Sequence, residues 1–339
     1  MQPEQPTLHD GDLLLRPWRD DDVETALLGF GEETADWLER SDVAASRERW
    51  QQSVAGWRSQ YADGRRAAGF VVERAGQVAG AVEVRRSEAG NGQLSWALFA
   101  GHRGRGSGVL AVRMLVAYAF DDLALSRVEA FVEPGNVRSL RLAARAGLRR
   151  EGIVRGRKER RGRRVDDVLV ARLVTDPEPA SADGFRAVLN AGLPLKRVIA
   201  QGLLRDPAGH VLLCQLTYKN DWDLPGGVVE PLESPRECVV REVAEELGIE
   251  VTAGELITVD WLPPWAGWDD ACLLMFDLGV VPADTVSSMR LEPREIAAVH
   301  WADPQLVRAR CRPQVADRLE LVAAGGPVPH FLHSGRSPR

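Results

Sequence analysis

The sequence predicts a two-domain protein whose halves are of mixed α+β and α/β class. Its 339 residues are enough for two domains of ordinary size. A segment rich in Pro, Ala and acidic residues, DPEPASAD at 176–183, is the best linker candidate between them. On both sides of this segment, short β-type runs alternate with amphipathic helical runs, which is the pattern of sheets covered by helices.

Composition favours a globular protein of the cytoplasm. Hydrophobic residues make up 45% and charged residues 27% of the chain, and no apolar run is long enough to cross a membrane. The start, MQPEQPTLHDGD, lacks the basic and apolar regions of a signal peptide. Four scattered cysteines without a CxxC pair indicate free thiols. Residues 1–180 carry 28 basic and 27 acidic side chains and the remainder 15 and 22, so neither half is expected to bind nucleic acid.

The first half begins with a predicted strand at 13–18, followed by a helical region over 22–61. Alternating runs at 70–74 and 78–85 surround Ala75-Gly76-Gln77 and predict a hairpin. A further strand is expected at 93–99. Beyond it, strands are predicted at 127–132, 152–155 and 165–173, and a helix opens at Asn136 and ends near Gly147.

A glycine-rich turn, GHRGRGSG at 101–108, leads directly into an apolar helical run at 109–123. Such a turn offers free backbone N–H groups at the positive end of a helix dipole, which suits a pyrophosphate. Glycine-rich loops also serve simply as connections. The order of elements around this one favours the phosphate-binding interpretation.

This order, with Arg103-x-x-Gly106-x-Gly108 after the fourth strand, resembles the GNAT acetyltransferases, and the LLLRPW opening resembles their ribosomal-protein N-acetyltransferase subgroup. The resemblance implies a mixed, mostly antiparallel sheet with flanking helices. It also implies acetyl-CoA as co-substrate, an amine acceptor (a small molecule or a protein N-terminus), and a splayed strand near Trp96 that holds the pantetheine arm. The pyrophosphate would lie on the backbone of Arg103, Gly104, Arg105, Gly106, Ser107 and Gly108.

Asn136 and Ser139 match the residues that open a helix in this family. The resemblance implies a catalytic role for them, with Ser139 as the better donor of a proton to the leaving thiolate. Capping of the helix is an equally good explanation for Asn136. No Tyr stands where many members place the proton donor, and the general base is not identified, although Glu83 and Glu129 lie on predicted strands.

A strongly basic segment, 149–164, carries nine basic and two acidic residues around two predicted strand ends. It is interpreted either as a solvated hairpin loop or as a clamp for an acidic acceptor or a nucleotide phosphate.

The second half is organised around GVVEPLESPRECVVREVAEELGI at 227–249, after predicted strands at 197–205 and 211–216. Ser234, Pro235 and Glu237 predict a helix start with a capping box, and Gly248 predicts its end. Val240, Val243, Ala244 and Leu247 are expected to form the buried stripe. Glu242, Glu245 and Glu246 would project together from the opposite side. Because three carboxylates on one face repel each other, they indicate a hard divalent cation bound through oxygen.

Every defined position of this stretch matches the Nudix box, so the half resembles the Nudix hydrolases with their α/β/α sandwich. The resemblance implies Mg²⁺ or Mn²⁺ held by Glu242, Glu245 and Glu246, with Glu245 and Glu246 also candidates for the catalytic base. Glu295 is transferred as a further ligand or base. Structural roles fall to Gly227, Glu233, Arg241 and Gly248, with Arg241 expected to pair with Glu233.

After the box, strands are predicted at 256–261 and 271–278, with the Trp-rich loop LPPWAGWDD between them. Its tryptophans are expected either to stack on a base or to cover the edge of the core. A single helix is predicted from Pro304 to about Ala324, followed by a disordered tail.

We therefore expect an acetyl-CoA-binding domain over 8–175, a linker over 176–194, a Nudix domain over 195–325 and a tail over 326–339. The leading hypothesis is a bifunctional enzyme that hydrolyses a nucleoside diphosphate linked to another group and acetylates an amine. In one alternative, the GNAT half only binds acetyl-CoA. In the other, the protein senses a nucleotide and regulates another process.

Overall fold

The computed structural model describes residues 4–29, 47–87, 90–160, 162–265 and 267–338. The chain divides into two compact units, Met1–Leu193 and Pro194–Arg339. Within the described ranges, no helix combines the length and the apolar character that a membrane span requires.

The described residues of the first unit form eight strands and five α-helices. The strands are β1 (Leu8–Asp10), β2 (Leu13–Pro17), β3 (Ala67–Arg74), β4 (Gln77–Arg86), β5 (Gly92–Leu98), β6 (Arg127–Val132), β7 (Arg149–Arg160) and β8 (Arg163–Leu173). The α-helices are α1 (Asp22–Gly29), α2 (Arg47–Ala62), α3 (Ser107–Asp121), α4 (Val137–Arg145) and α5 (Ala182–Gly192), and a 3₁₀ turn spans Ala100–His102. Part of the predicted helical region over 22–61, residues 30–46, lies outside the described residues.

The predicted mixed, mostly antiparallel sheet is confirmed in this unit, with the strand order β1-β2-β3-β4-β5-β6-β8-β7. The one parallel contact joins β5 and β6, and it is limited to Gly92 opposite Val128 and Gln93 opposite Glu129. β5 continues for five more residues alongside β4 alone. The sheet therefore opens between β5 and β6 at Trp96, next to the start of α3.

Strand alternation places one core on each face of this sheet. Phe70 and Val72 of β3 join the core that includes Leu115 of α3. Ala67 and Val71 join the second core, which holds Trp18 and the α2 residues Trp50 and Trp57. The Trp18 ring lies 5.4 Å from each of the other two indoles.

The segment predicted as a linker over 176–194 contains the helix α5. Its N-cap is Ser181, whose hydroxyl accepts a hydrogen bond from the Gly184 amide. The unit boundary falls directly after this helix, between Leu193 and Pro194.

In the described part of the second unit there are seven strands and three α-helices. The strands are β9 (Arg197–Arg205), β10 (Val211–Leu216), β11 (Gly226–Val228), β12 (Leu256–Leu262), β13 (Ala271–Val280), β14 (Ile296–Ala302) and β15 (Phe331–His333). The helices are α6 (Pro235–Leu247), α7 (Pro304–Arg310) and α8 (Pro313–Ala323), and a 3₁₀ turn spans Ala283–Ser288.

The sheet order is β14-β10-β9-β13-β12-β15, with β11 paired to β9. Helices cover both faces of the sheet at β9, and apolar side chains of this strand therefore point to both sides. Ala200 and Leu204 pack with the α6 residue Val243, whereas Leu203 packs with the α8 residue Leu319. This arrangement confirms the predicted sheet between helical layers.

Two expectations about the end of the chain were wrong. The single helix after Pro304 is two helices, because Cys311 and Arg312 are extended and Pro313 begins α8. The tail is not free of structure, since β15 pairs in parallel with β12. Leu332 is fully buried there, so the tail is ordered by a hydrophobic contact that its polar composition does not indicate.

Candidate active sites

The helix α6 has the ends that the sequence predicts. The Ser234 hydroxyl accepts a hydrogen bond from the Glu237 amide while the Glu237 carboxylate accepts one from the Ser234 amide. At the other end, Gly248 has φ +66°. A Cβ there would meet Arg290, so glycine is required by both conformation and packing.

The predicted faces of α6 were partly wrong. The buried stripe consists of Cys238, Val239, Val243 and Leu247, whereas Ala244 is exposed. Glu246 lies beside this stripe and is only 6% exposed, while the Glu245 side chain is 61% exposed. The carboxylates therefore do not share one solvent face, because the sheet covers the side of α6 that carries Glu246.

Glu246 is held by the strand that precedes the box. Its Oε2 accepts a hydrogen bond from the Gly226 amide at 3.0 Å. Burial raises the pKa of Glu246 to about 8, although this hydrogen bond acts in the opposite direction. The nearby carboxylates of Glu242, Glu295 and Asp223 also raise it. Gly226 has φ +137°, and a Cβ there would lie 2.2 Å from the Ala200 carbonyl oxygen.

The next glycine lies directly against a carboxylate. A Cβ on Gly227 would lie 2.2 Å from Oε1 of Glu242. Burial raises the pKa of Glu242, although Arg241 acts in the opposite direction. Gly226 and Gly227 thus let β11 approach the two carboxylates directly.

Arg241 connects the carboxylates of the box. Its guanidinium makes a two-pronged ion pair with Glu233, at 2.7 and 3.0 Å. The same side chain reaches Glu242 at 3.0 Å and Glu245 at 2.9 Å. Hydrogen bonding to Arg241 lowers the pKa of Glu233 to about 2. This pairing ties the loop before α6 to the helix.

Glu295 is exposed at the start of β14, where its carbonyl oxygen accepts a hydrogen bond from the Thr217 amide at 2.9 Å. Burial is the main cause of the raised pKa of Glu242 and of Glu246, and the charge of Glu295 raises both further. The three carboxylates therefore share one electrostatic environment. An oxygen-only donor set of this kind fits a hard divalent cation. In the described ranges, no three His, Cys, Asp or Glu side chains converge into a closed metal cluster.

The sequence did not predict a polar network around Asp223, next to the box. The Asp223 carboxylate accepts hydrogen bonds from Lys219 at 2.8 Å and Gln201 at 2.9 Å. Gln201 in turn accepts a hydrogen bond from Arg318, which is paired with the buried Asp260. Burial would raise the pKa of Asp223, but Lys219 and Arg318 hold it below its ordinary value. The only sequence signal was that Lys219 is one of three lysines in an Arg-rich chain.

In the first unit, the glycine-rich loop meets α3 as expected. Gly104 and Gly106 have φ +79° and +80°, and Gly106 caps α3 without a side-chain hydrogen bond. The exposed part of the loop is 104–106, whereas Ser107 and Gly108 are buried. Arg74 braces the loop by donating to the Arg105 carbonyl and the Ser107 hydroxyl, both at 2.9 Å.

Other members of the predicted pyrophosphate set have local structural roles. The Arg103 side chain donates to the Leu98 carbonyl at 3.0 Å. A Cβ on Gly108 would lie 2.7 Å from Leu142 and 2.9 Å from Leu98, so this glycine lets α3 pack closely. Of the two arginines in the loop, Arg103 is half-buried and Arg105 is exposed.

At the start of α4, the Asn136 side chain accepts a hydrogen bond from the Ser139 amide at 3.1 Å. This contact matches the capping explanation of Asn136. Of the two carboxylates considered as a base, Glu83 is paired with Arg85 at 2.6 Å and Glu129 with Arg127 at 2.9 Å.

Part of the positive charge of the basic segment 149–164 is neutralised within the unit. Arg160 and Lys158 contact Glu133 at 2.7 and 3.0 Å. Arg157 contacts the fully buried Asp167 at 3.0 Å and covers the Phe131 ring at 3.6 Å. These contacts favour a structural hairpin over a phosphate clamp.

Comparison with known proteins assigns both halves. The acetyltransferase (GNAT) domain pattern matches residues 12–149, and the NUDIX domain pattern matches residues 195–323. A MutT-like protein of Streptomyces ambofaciens is 32% identical over 144 residues, which are 42% of this chain and 87% of that protein. The chain therefore belongs to the Nudix family through its second half, and its first half is a GNAT domain.

Other similar proteins match one half each. A CTP pyrophosphohydrolase of Escherichia coli is 47% identical over 64 residues, 18% of this chain and 46% of that protein, so this chain spans about half of that relative. The uncharacterized N-acetyltransferase p20 of Bacillus licheniformis is 28% identical over 165 residues, 47% of this chain and 84% of that protein. A solved ribosomal-protein-S5-alanine acetyltransferase of Vibrio fischeri has 22% identity and a TM-score of 0.46, covering 52% of this chain and all of that one.

Proposed function

We propose that the chain is a bifunctional enzyme. The second half hydrolyses a nucleoside diphosphate linked to another group, and the first half transfers the acetyl group of acetyl-CoA to an amine. The domains extend over 8–175 and 195–325, which is supported by the boundary between the compact units at Leu193 and Pro194. The observation that carries the hydrolase proposal is the meeting of Glu242 and Glu246 with the glycine backbone of β11.

Glu242, Glu245 and Glu246 would hold Mg²⁺ or Mn²⁺, with Glu295 as a further ligand or base. The bound ion would supply charge neutralisation at the diphosphate and a water activated for attack on phosphorus. The residues of the chain supply orientation. The Gly226 amide fixes one oxygen of Glu246, and Arg241 holds the box against Glu233.

The hydrolase proposal is tested with Glu245→Gln and Glu246→Gln. Both variants are expected to lose metal-dependent release of phosphate products from nucleoside di- and triphosphates, while acetyl-CoA binding is retained. Glu250→Gln is the matched control, since Glu250 is exposed just beyond the helix. Full hydrolysis by both variants would refute the site.

For the first half, acetyl-CoA binding is supported by two features that lie side by side. Gly106 is the N-cap of α3 and provides no side-chain cap, so the first N–H groups of the helix are available to a pyrophosphate. β5 leaves β6 after Gln93, so the edge of β5 can receive an extended pantetheine arm. The amine acceptor is a small molecule or a protein N-terminus.

Calorimetry with acetyl-CoA tests this site. Gly106→Glu places a carboxylate and a strained φ at the phosphate position, and binding is expected to be lost. Ser139→Ala is expected to retain binding and slow acetyl transfer if Ser139 protonates the thiolate. Equal acetyl-CoA affinity of Gly106→Glu and the wild type would contradict the loop assignment.

A further inference from the structure

Two tryptophans in the loop between β12 and β13 are held together by backbone hydrogen bonds. Trp265 and Trp268 exchange backbone hydrogen bonds at 3.0 and 2.8 Å and form an antiparallel bridge. Partners in such a bridge project their side chains from the same side. The two indoles therefore stand together on one tight turn.

Both indoles face solvent. Trp265 is 51% and Trp268 is 61% exposed. Trp is usually mostly buried in folded proteins, and exposed apolar groups that cluster commonly mark binding sites. Of the two roles open to these residues from the sequence, covering the edge of the core does not fit this exposure.

Each ring carries a cation on one face. The Arg312 guanidinium lies 3.7 Å from the Trp265 ring centre, and Arg197 lies 4.8 Å from that of Trp268. Both cations are themselves fixed, because Arg312 pairs with Asp221 at 2.8 Å and Arg197 donates to the Asp269 carbonyl at 2.8 Å. A second planar group can stack on a ring that is already oriented in this way.

The turn is linked to the box through one short segment of chain. Arg197, which covers Trp268, and Gln201, which pairs with Gly226, both lie on β9 and are four residues apart. Four residues of a strand span about 13 Å, and the Gly226 amide binds Glu246 of the box. A nucleotide whose diphosphate lies at the box can extend its base over a distance of this order.

We infer that the Trp265–Trp268 turn binds the base of the nucleotide by stacking, with Arg197 and Arg312 holding the two rings in place. The ligand class is a planar nucleobase joined through its sugar to the diphosphate. The inference rests on the hydrolysis proposed above for the box. Stacking tolerates every base, so this turn selects nucleotides over base-free diphosphates and does not select one base.

The test compares Trp265→Leu, Trp268→Leu and the double variant with Phe331→Leu, which removes another half-exposed aromatic side chain of the same unit. KM is measured with ATP, CTP, GTP and UTP and with phosphoribosyl pyrophosphate, which has a sugar but no base. For the double variant we expect KM for the nucleotides to rise by about 10-fold or more. KM for phosphoribosyl pyrophosphate and the melting temperature should stay unchanged. An unchanged nucleotide KM, or an equal rise for both classes of substrate, would overturn the inference.

Direct binding separates this inference from the hydrolase proposal. Without added metal, binding of the four nucleotides and of inorganic pyrophosphate is measured by isothermal titration calorimetry for the wild type and the double variant. If the wild type binds nucleotides more tightly than pyrophosphate and the double variant loses that preference, the turn binds the base even when no hydrolysis is found. If the wild type has no such preference, the inference is wrong, whatever the hydrolysis assay gives.

Discussion

Replacement of Arg318 tests the buried polar network that connects Gly335 with Asp223, which lies just before the box. Its guanidinium contacts Asp260 at 2.7 Å, and the two side chains are 1% and 0% exposed. Asp260 also accepts a hydrogen bond from the Gly335 amide at 2.9 Å. Arg318→Met keeps most of the apolar stem but leaves the Asp260 charge buried with one amide and no cation.

Breaking a buried pair from one side costs about 3–5 kcal/mol, because the remaining charge has lost its partner. For a unit of this size, 1 kcal/mol lowers the melting temperature by about 2–4 °C, so we expect a decrease of about 6–20 °C. The double variant Asp260→Leu/Arg318→Met removes both charges and should recover most of this loss.

The assay is differential scanning calorimetry of the full chain. The two compact units predict two transitions, and only that of the second unit should move. A decrease of less than about 2 °C for Arg318→Met, or a double variant no more stable than the single one, would refute the reasoning. A loss of hydrolysis at temperatures where Arg318→Met stays folded would further assign it a positioning role through Gln201 and Asp223.

Two further predictions concern stability and the box. Asp22 is buried, which raises its pKa, but hydrogen bonds from Arg16 and the Arg19 amide outweigh burial and hold this pKa below its ordinary value of 3.8. The carboxylate therefore stabilises the first unit above pH 3.8 and loses its effect as the pH falls through its lowered pKa. Asp22→Asn should cost about 3 kcal/mol at neutral pH, and a difference from the wild type that does not shrink in acid would contradict this assignment. Gly226→Ala should displace β11 and abolish hydrolysis, whereas Gly209→Ala, with φ +85° but open space for its Cβ, should cost only about 1 kcal/mol. Equal melting temperatures and activities of the two variants would argue against the close approach at Gly226.

The local features of the box were predictable because they depend on neighbours in the chain. Three such features are the Ser234 capping box, the helix end at Gly248 and the pairing of Arg241 with Glu233. Each joins residues that are at most eight positions apart. Residue type and spacing alone determine such contacts. The positions of most strands along the chain and the glycine-rich turn that opens α3 were likewise predictable from alternation and glycine placement.

Tertiary structure decided which of those residues are buried. Glu246 and Glu245 are adjacent and chemically identical, yet the sheet covers one of them and leaves the other in solvent. The contact between Gln201 and Arg318 joins residues 117 positions apart, and no local pattern encodes such a separation. The pairing of β15 with β12 and the contacts of Arg312 and Arg197 with the two tryptophan rings also depend on residues that are distant in the sequence. Patterns along the sequence identified the carboxylates and glycines of this protein, while long-range packing determined their exposure, their partners and their electrostatics.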